Sequence, residues 1–160
     1  MSARGSKVLS SRTGRRRVLQ GAGALVAIAC LPARAADGAL PDIPAMTAYL
    51  GGRVPLRARL RLELPALADN GFSVPMRVVV AGPFAPGPTV RAIRVFSEKN
   101  PVPDVAVFEY PVPVERVEID ARVRLADAQQ LAAIAEMSDG TLYAAATEVV
   151  VTLAGCMDGT

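Results

Sequence analysis

Residues 116–125 read Arg116-Val117-Glu118-Ile119-Asp120-Ala121-Arg122-Val123-Arg124-Leu125. Val117, Ile119, Ala121, Val123 and Leu125 alternate with charged residues. A period of two over this length predicts a strand with one face on a core and one face in water. The same period appears upstream, where Leu56, Ala58, Leu60, Leu62 and Leu64 alternate with Arg57, Arg59, Arg61 and Glu63. Between these two stretches, 73–81, 89–97 and 105–110 read as strands separated by Asn, Gly and Pro turn residues.

Downstream, 129–137 is ambiguous. Leu131, Ile134 and Ala135 suit a helix face, but Ser138-Asp139-Gly140 is a hairpin signal and 141–153 reads as a strand. We therefore read 129–137 as a strand. The sum is about seven strands spaced by about 8–14 residues, an all-β immunoglobulin-like antiparallel sandwich over 56–153. Residues 36–55 form an N-terminal segment in which Pro41 and Pro44 forbid a long helix and 45–50 has room for one or two turns. Residues 154–160 are expected to be a flexible tail, with Gly155 and Gly159 loosening the backbone around Cys156. Phe72, Phe84, Phe96 and Phe108 recur every 12 residues, but their flanks differ, so the spacing reflects strand rhythm and not a repeat.

Residues 1–35 read as an export signal. Arg15-Arg16-Arg17-Val18-Leu19-Gln20 has a twin-arginine pattern, an Ala- and Gly-rich apolar run follows, and Ala33-Arg34-Ala35 is a small-x-small cleavage site. The expected location is the periplasm. A second reading takes Ala27-Ile28-Ala29-Cys30 as a lipoprotein box, which would leave Cys30 acylated. The full chain carries 18 Lys and Arg against 15 Asp and Glu, yet the leader holds seven of those cations and no anion. Cleavage leaves 11 cations against 15 anions, a net charge of −4. The basic balance therefore belongs to the leader, and no nucleic acid or membrane partner is expected after cleavage.

Composition narrows the chemistry. There is no His, so Ser-His-Asp and Cys-His catalysis and imidazole metal sites are excluded. No Trp and few aromatics argue against a base-stacking surface. Asp69, Glu136 and Asp139 are carboxylates that one end of a sandwich has room to gather, though solvated turns explain them better. The Arg57, Arg59, Arg61 and Arg116, Arg122, Arg124 rows read as wet strand faces. No residues form a catalytic set, and no cofactor is expected. After cleavage Cys156 is alone, so it cannot pair within its chain. It is buried, joined to another molecule, or chemically used.

Three segments resemble the SoxY family: Asp69-Asn70-Gly71-Phe72-Ser73-Val74-Pro75, Val95-Phe96-Ser97-Glu98-Lys99-Asn100-Pro101-Val102-Pro103, and Arg122 to Gln129 continuing through Ala135-Glu136-Met137-Ser138-Asp139-Gly140. The twin-arginine leader and near-terminal Cys156 fit as well, and the resemblance covers about residues 45–156. It implies an immunoglobulin-like domain paired with a SoxZ-like subunit. It also implies that Cys156 carries sulfur intermediates covalently, in Sox thiosulfate oxidation, between a c-type haem enzyme, a dimanganese hydrolase and a sulfane dehydrogenase, without catalysis by the carrier itself. The family tail is Gly-Gly-Cys-Gly-Gly, whereas here Ala154, Met157 and Asp158 replace three of the glycines. Two readings stay open: a carrier that serves Sox enzymes or their paralogues, and a binding or assembly module whose tail has drifted.

Overall fold

The structure is a computed structural model and describes residues 39–83, 86–114 and 116–153. One short helix, α1 (Pro44–Leu50), precedes eight strands: β1 (Leu60–Glu63), β2 (Leu67–Ala68), β3 (Val74–Val80), β4 (Val90–Ser97), β5 (Asp104–Glu109), β6 (Val117–Val123), β7 (Gln129–Met137) and β8 (Leu142–Val151). They form two sheets, β1-β3-β6 and β2-β8-β7-β4-β5, packed face to face as an immunoglobulin-like sandwich. Val74, Val78 and Val117 of the first sheet meet Ile93, Val95, Leu131, Ala133 and Val149 of the second, and all are buried.

The strand predicted over 56–64 is divided. Leu56 bridges in parallel to Tyr143, giving its carbonyl to the Ala144 N–H at 2.9 Å. At Arg59 the backbone turns left-handed (φ 61°), and the chain crosses to pair β1 with β3. It then returns as β2, parallel to β8. This division accounts for the eighth strand and for the parallel pairing in a sandwich expected to be antiparallel. A left-handed residue that is not Gly costs about 1 kcal/mol. Here Arg59 offsets the cost by donating from Nε to the Ala81 carbonyl at 2.9 Å and from a terminal nitrogen to the Pro83 carbonyl at 2.7 Å.

Strand β7 is buried on both faces. Leu131, Ala133 and Ala135 point into the sandwich, while Ala132 and Ile134 join Phe96, Leu142 and Ala144 in a second cluster on the outer face. Helix α1 covers that cluster with Ile43 and Met46. Pro44 starts the helix, where its missing N–H is no loss, and Gly51 ends it at φ 57°, donating to the Thr47 carbonyl at 3.2 Å. Seven residues are too few for a stable isolated helix, so packing holds it. Tyr49 completes the seat. Its hydroxyl donates to Glu136 at 2.5 Å, its ring lies 5.8 Å from that of Phe96, and the Arg94 guanidinium sits 5.0 Å from its centroid. Burial and the Glu136 carboxylate push the Tyr49 hydroxyl up to about 12.

The four phenylalanines do not share a face. Phe96 lies under α1, Phe108 packs on the main core, Phe72 is 45% exposed at a turn, and Phe84 lies outside the described residues.

Candidate functional site: the root of the C-terminal tail

The last described residue, Leu153, is fixed to the sandwich. The Gly71 N–H donates to the Leu153 carbonyl at 2.7 Å, and the Gly71 carbonyl accepts from the Leu125 N–H at 2.8 Å. One residue earlier, Thr152 donates its N–H to the Ala68 carbonyl at 3.0 Å and its hydroxyl to the Asp69 carbonyl at 2.9 Å. The end of β8 is thereby tied to the β2–β3 turn and to the chain leaving β6. The turn holds its own shape, because Asn70 Oδ1 accepts from the Phe72 N–H at 2.8 Å.

The hydrogen bonds continue around this end of the sandwich. Asn100 Nδ2 donates to the Arg124 carbonyl at 2.7 Å, and Asn100 Oδ1 accepts from the Ala126 N–H at 2.9 Å and from Gln129 Nε2 at 3.0 Å. Gln129 Oε1 accepts from the Ser97 hydroxyl and, at 2.9 Å, from the Lys99 N–H. Ser97 and Gln129 are the buried polar residues of the described chain, and pairing is what makes such burial tolerable. The β4–β5, β6–β7 and β2–β3 connections are thus joined into one platform, from which the chain leaves at Leu153.

Two arginines stand on the platform. Arg122 donates to the Ser73 carbonyl at 3.2 Å, and the Arg124 guanidinium lies 5.6 Å from the Phe72 ring centroid. The predicted site residues Gly155, Cys156 and Gly159, the tail departures Ala154, Met157 and Asp158, and the leader residues Arg15, Arg16 and Cys30 lie outside the described residues. The three carboxylates do not gather. Asp69 lies beside the end of β8, whereas Asp139 sits in the turn that begins it, where the Thr141 N–H lowers its pKa. Glu136 is engaged by Tyr49. Sequence reasoning missed Asn100 and Gln129 as the organisers of this end. An Asn before a Pro signals only a turn, and a Gln opening a strand signals nothing.

The sequence family described as sulfur oxidation protein SoxY matches residues 46–156. The chain belongs to the SoxY family. A solved SoxY, titled a sulfur carrier protein and coming from Chlorobium limicola f thiosulfatophilum, is 32% identical with a TM-score of 0.53, covering 68% of this chain and 94% of its own. A superoxide reductase (neelaredoxin) from Ignicoccus hospitalis is similar at 18% identity and a TM-score of 0.46, over 59% of this chain and 80% of that one. No curated protein matches. The three SoxY-like segments, distant in sequence, converge here: the first holds Leu153 through Gly71, and the second and third meet through Asn100 and Gln129.

Proposed function

We propose that this SoxY-family chain is a periplasmic carrier that holds sulfur covalently on Cys156 during thiosulfate or related sulfur oxidation. The observation that carries the reading is the extent of the family match. Its last residue is Cys156, three residues beyond the anchored Leu153. A thiol that close to a fixed root can be presented to a partner while the sandwich stays folded. Joining the thiol to the outer sulfur of thiosulfate forms an S–S bond and releases two electrons and one proton. A c-type haem partner takes the electrons. A dimanganese hydrolase and a sulfane dehydrogenase then act on the bound sulfur, or paralogues of these enzymes do. A SoxZ-like subunit pairs with the sandwich, and export follows the twin-arginine leader.

The test is the intact mass of protein isolated from cells oxidising thiosulfate. Sulfur-bearing adducts on Cys156, absent in Cys156→Ser, are the expected result. An unmodified thiol in such cells favours a non-carrier assembly module and overturns the proposal. The same spectrum reports cleavage after Ala35 or lipidation at Cys30. Light scattering after co-expression with a SoxZ-like subunit should give a heteromer, and a monomer would remove that partner.

A further inference from the structure

We propose that the flank formed by β5 and β6 is where a second, different subunit adds a strand to this sandwich. The two flanks differ. β1 packs over β7 and β8, and its inward Leu60 and Leu62 are buried. At the other edge of the same sheet, Ile119 and Ala121 of β6 are only half-buried, although Val117 and Val123 on either side of them are buried. β5 has no fully buried residue. Its inward Ala106 and Phe108, with Tyr110 just beyond, pack on the core yet stay half-buried. Val102, Val107 and Val112, on β5 and the turns at its two ends, are 68%, 44% and 64% exposed. Among the described residues no strand lies outside β5 or outside β6. The core therefore ends here in apolar surface between two open sheet edges, the combination that marks an interaction site.

The edge of β5 is ready for pairing. The Tyr110 N–H donates to the Arg91 carbonyl at 2.9 Å, and Phe108 and Ala106 stand opposite Ile93 and Val95. By the alternation of an antiparallel ladder these residues bond β4, so Val107 and Glu109 turn their N–H and C=O groups outward. An added strand meets those groups, and its inward side chains cover Phe108, Tyr110 and Ile119. Charge chooses the occupant. β5 carries Asp104 and Glu109 and no cation. Arg94 neutralises Asp104 at 2.8 Å, whereas Glu109 forms no ion pair among the described residues. The β5 strand of a second copy would bring two more carboxylates and no cation. The strand that fits instead turns large apolar residues towards the seam and sets Lys or Arg opposite Glu109. The inference rests on the expectation of a heteromeric partner and not on sulfur carriage, and it gives that partner its place and its chemistry.

The test is amide hydrogen exchange of the full chain, alone and co-purified with a co-expressed SoxZ-like subunit. Exchange at Val107 and Glu109 should slow by about tenfold or more in the complex, with weaker slowing over 117–121 and little at Leu60–Glu63. Glu109→Lys should weaken the heteromer several-fold. Val107→Pro removes an outward N–H and leaves the β4 ladder its donors, and it should weaken the heteromer about tenfold. Glu148→Lys, at an exposed carboxylate of β8, should leave the heteromer unchanged. A heteromer in which 104–110 exchanges as fast as in the free chain overturns this placement and leaves the heteromeric reading standing. Absence of any heteromer overturns both. Protection of β5 that grows with the concentration of the lone chain assigns the flank to a second copy and also overturns the proposal.

Discussion

Gly71 bonds Leu153 through its N–H at 2.7 Å and Leu125 through its carbonyl at 2.8 Å, so one residue joins the chain just past β8 to the exit of β6. Both groups belong to a buried residue, and an unpaired buried N–H costs about 1–3 kcal/mol. Gly71→Pro removes the donor. It should lower the urea midpoint by an amount equivalent to about 1–3 kcal/mol and speed amide exchange at Thr152 and Leu153, while exchange in β7 follows only the global loss.

Asn100 makes three side-chain hydrogen bonds across the platform. Asn100→Ala leaves their partners unsatisfied and should cost about 2–3 kcal/mol. Asn100→Asp keeps the acceptor but loses the donor to the Arg124 carbonyl, so it should cost less. Denaturant melts of both variants decide the order, and equal costs would remove the donor from the account.

Arg59 separates backbone strain from side-chain bonding. Arg59→Ala loses both guanidinium bonds and keeps the left-handed φ of 61°. Arg59→Gly loses the same bonds but relieves the strain. The Gly variant should therefore be the more stable of the two by about 1 kcal/mol, measured by thermal unfolding.

Tyr49 gives the fold an alkaline limb. Its folded pKa of about 12 exceeds the ordinary 10.0, so the folded state holds the phenolic proton more tightly. That contribution is complete below pH 10 and is lost as pH rises through 12. Tyr49→Phe should flatten stability against pH over this window. It should also remove from the ultraviolet titration a phenol that ionises near pH 12. An unchanged titration curve would rule out Tyr49 as that group.

Phe96 is buried beneath α1, against Tyr49. Phe96→Ala should cost about 3–5 kcal/mol. Exchange in α1 should rise more than in β3, because a seven-residue helix without its seat has little stability of its own.

Legibility in the sequence followed burial geometry. β6 alternates because only one of its faces is buried, and 117–125 was read nearly to its observed end at Val123. β7 matched its expected bounds, 129–137, only because the hairpin signal settled the choice. Burial on both faces erases the period of two, which is why Leu131, Ile134 and Ala135 also suited a helix. The 56–64 stretch kept its alternation while changing sheets at Arg59, since pairing partners are a tertiary matter that local pattern does not encode. At the tail root, Gly71 lay inside a segment whose family likeness was visible. Its bond to Leu153 spans 82 residues, and nothing local announces it.

The detour of residues 56–68 has a further consequence. β8 is flanked by β7 on one side and by Leu56 and β2 on the other. Both ends of β8 are therefore already bonded on that side, at Leu142 and Ala144 and again at Val150 and Thr152. Among the described residues β5 is open along its outer edge, with Val107 44% exposed at its middle. It lies three strands from β8, about 14 Å at ordinary strand spacing. A protein that annealed onto β5 would therefore bind at the flank of this sheet opposite to β8 and Leu153.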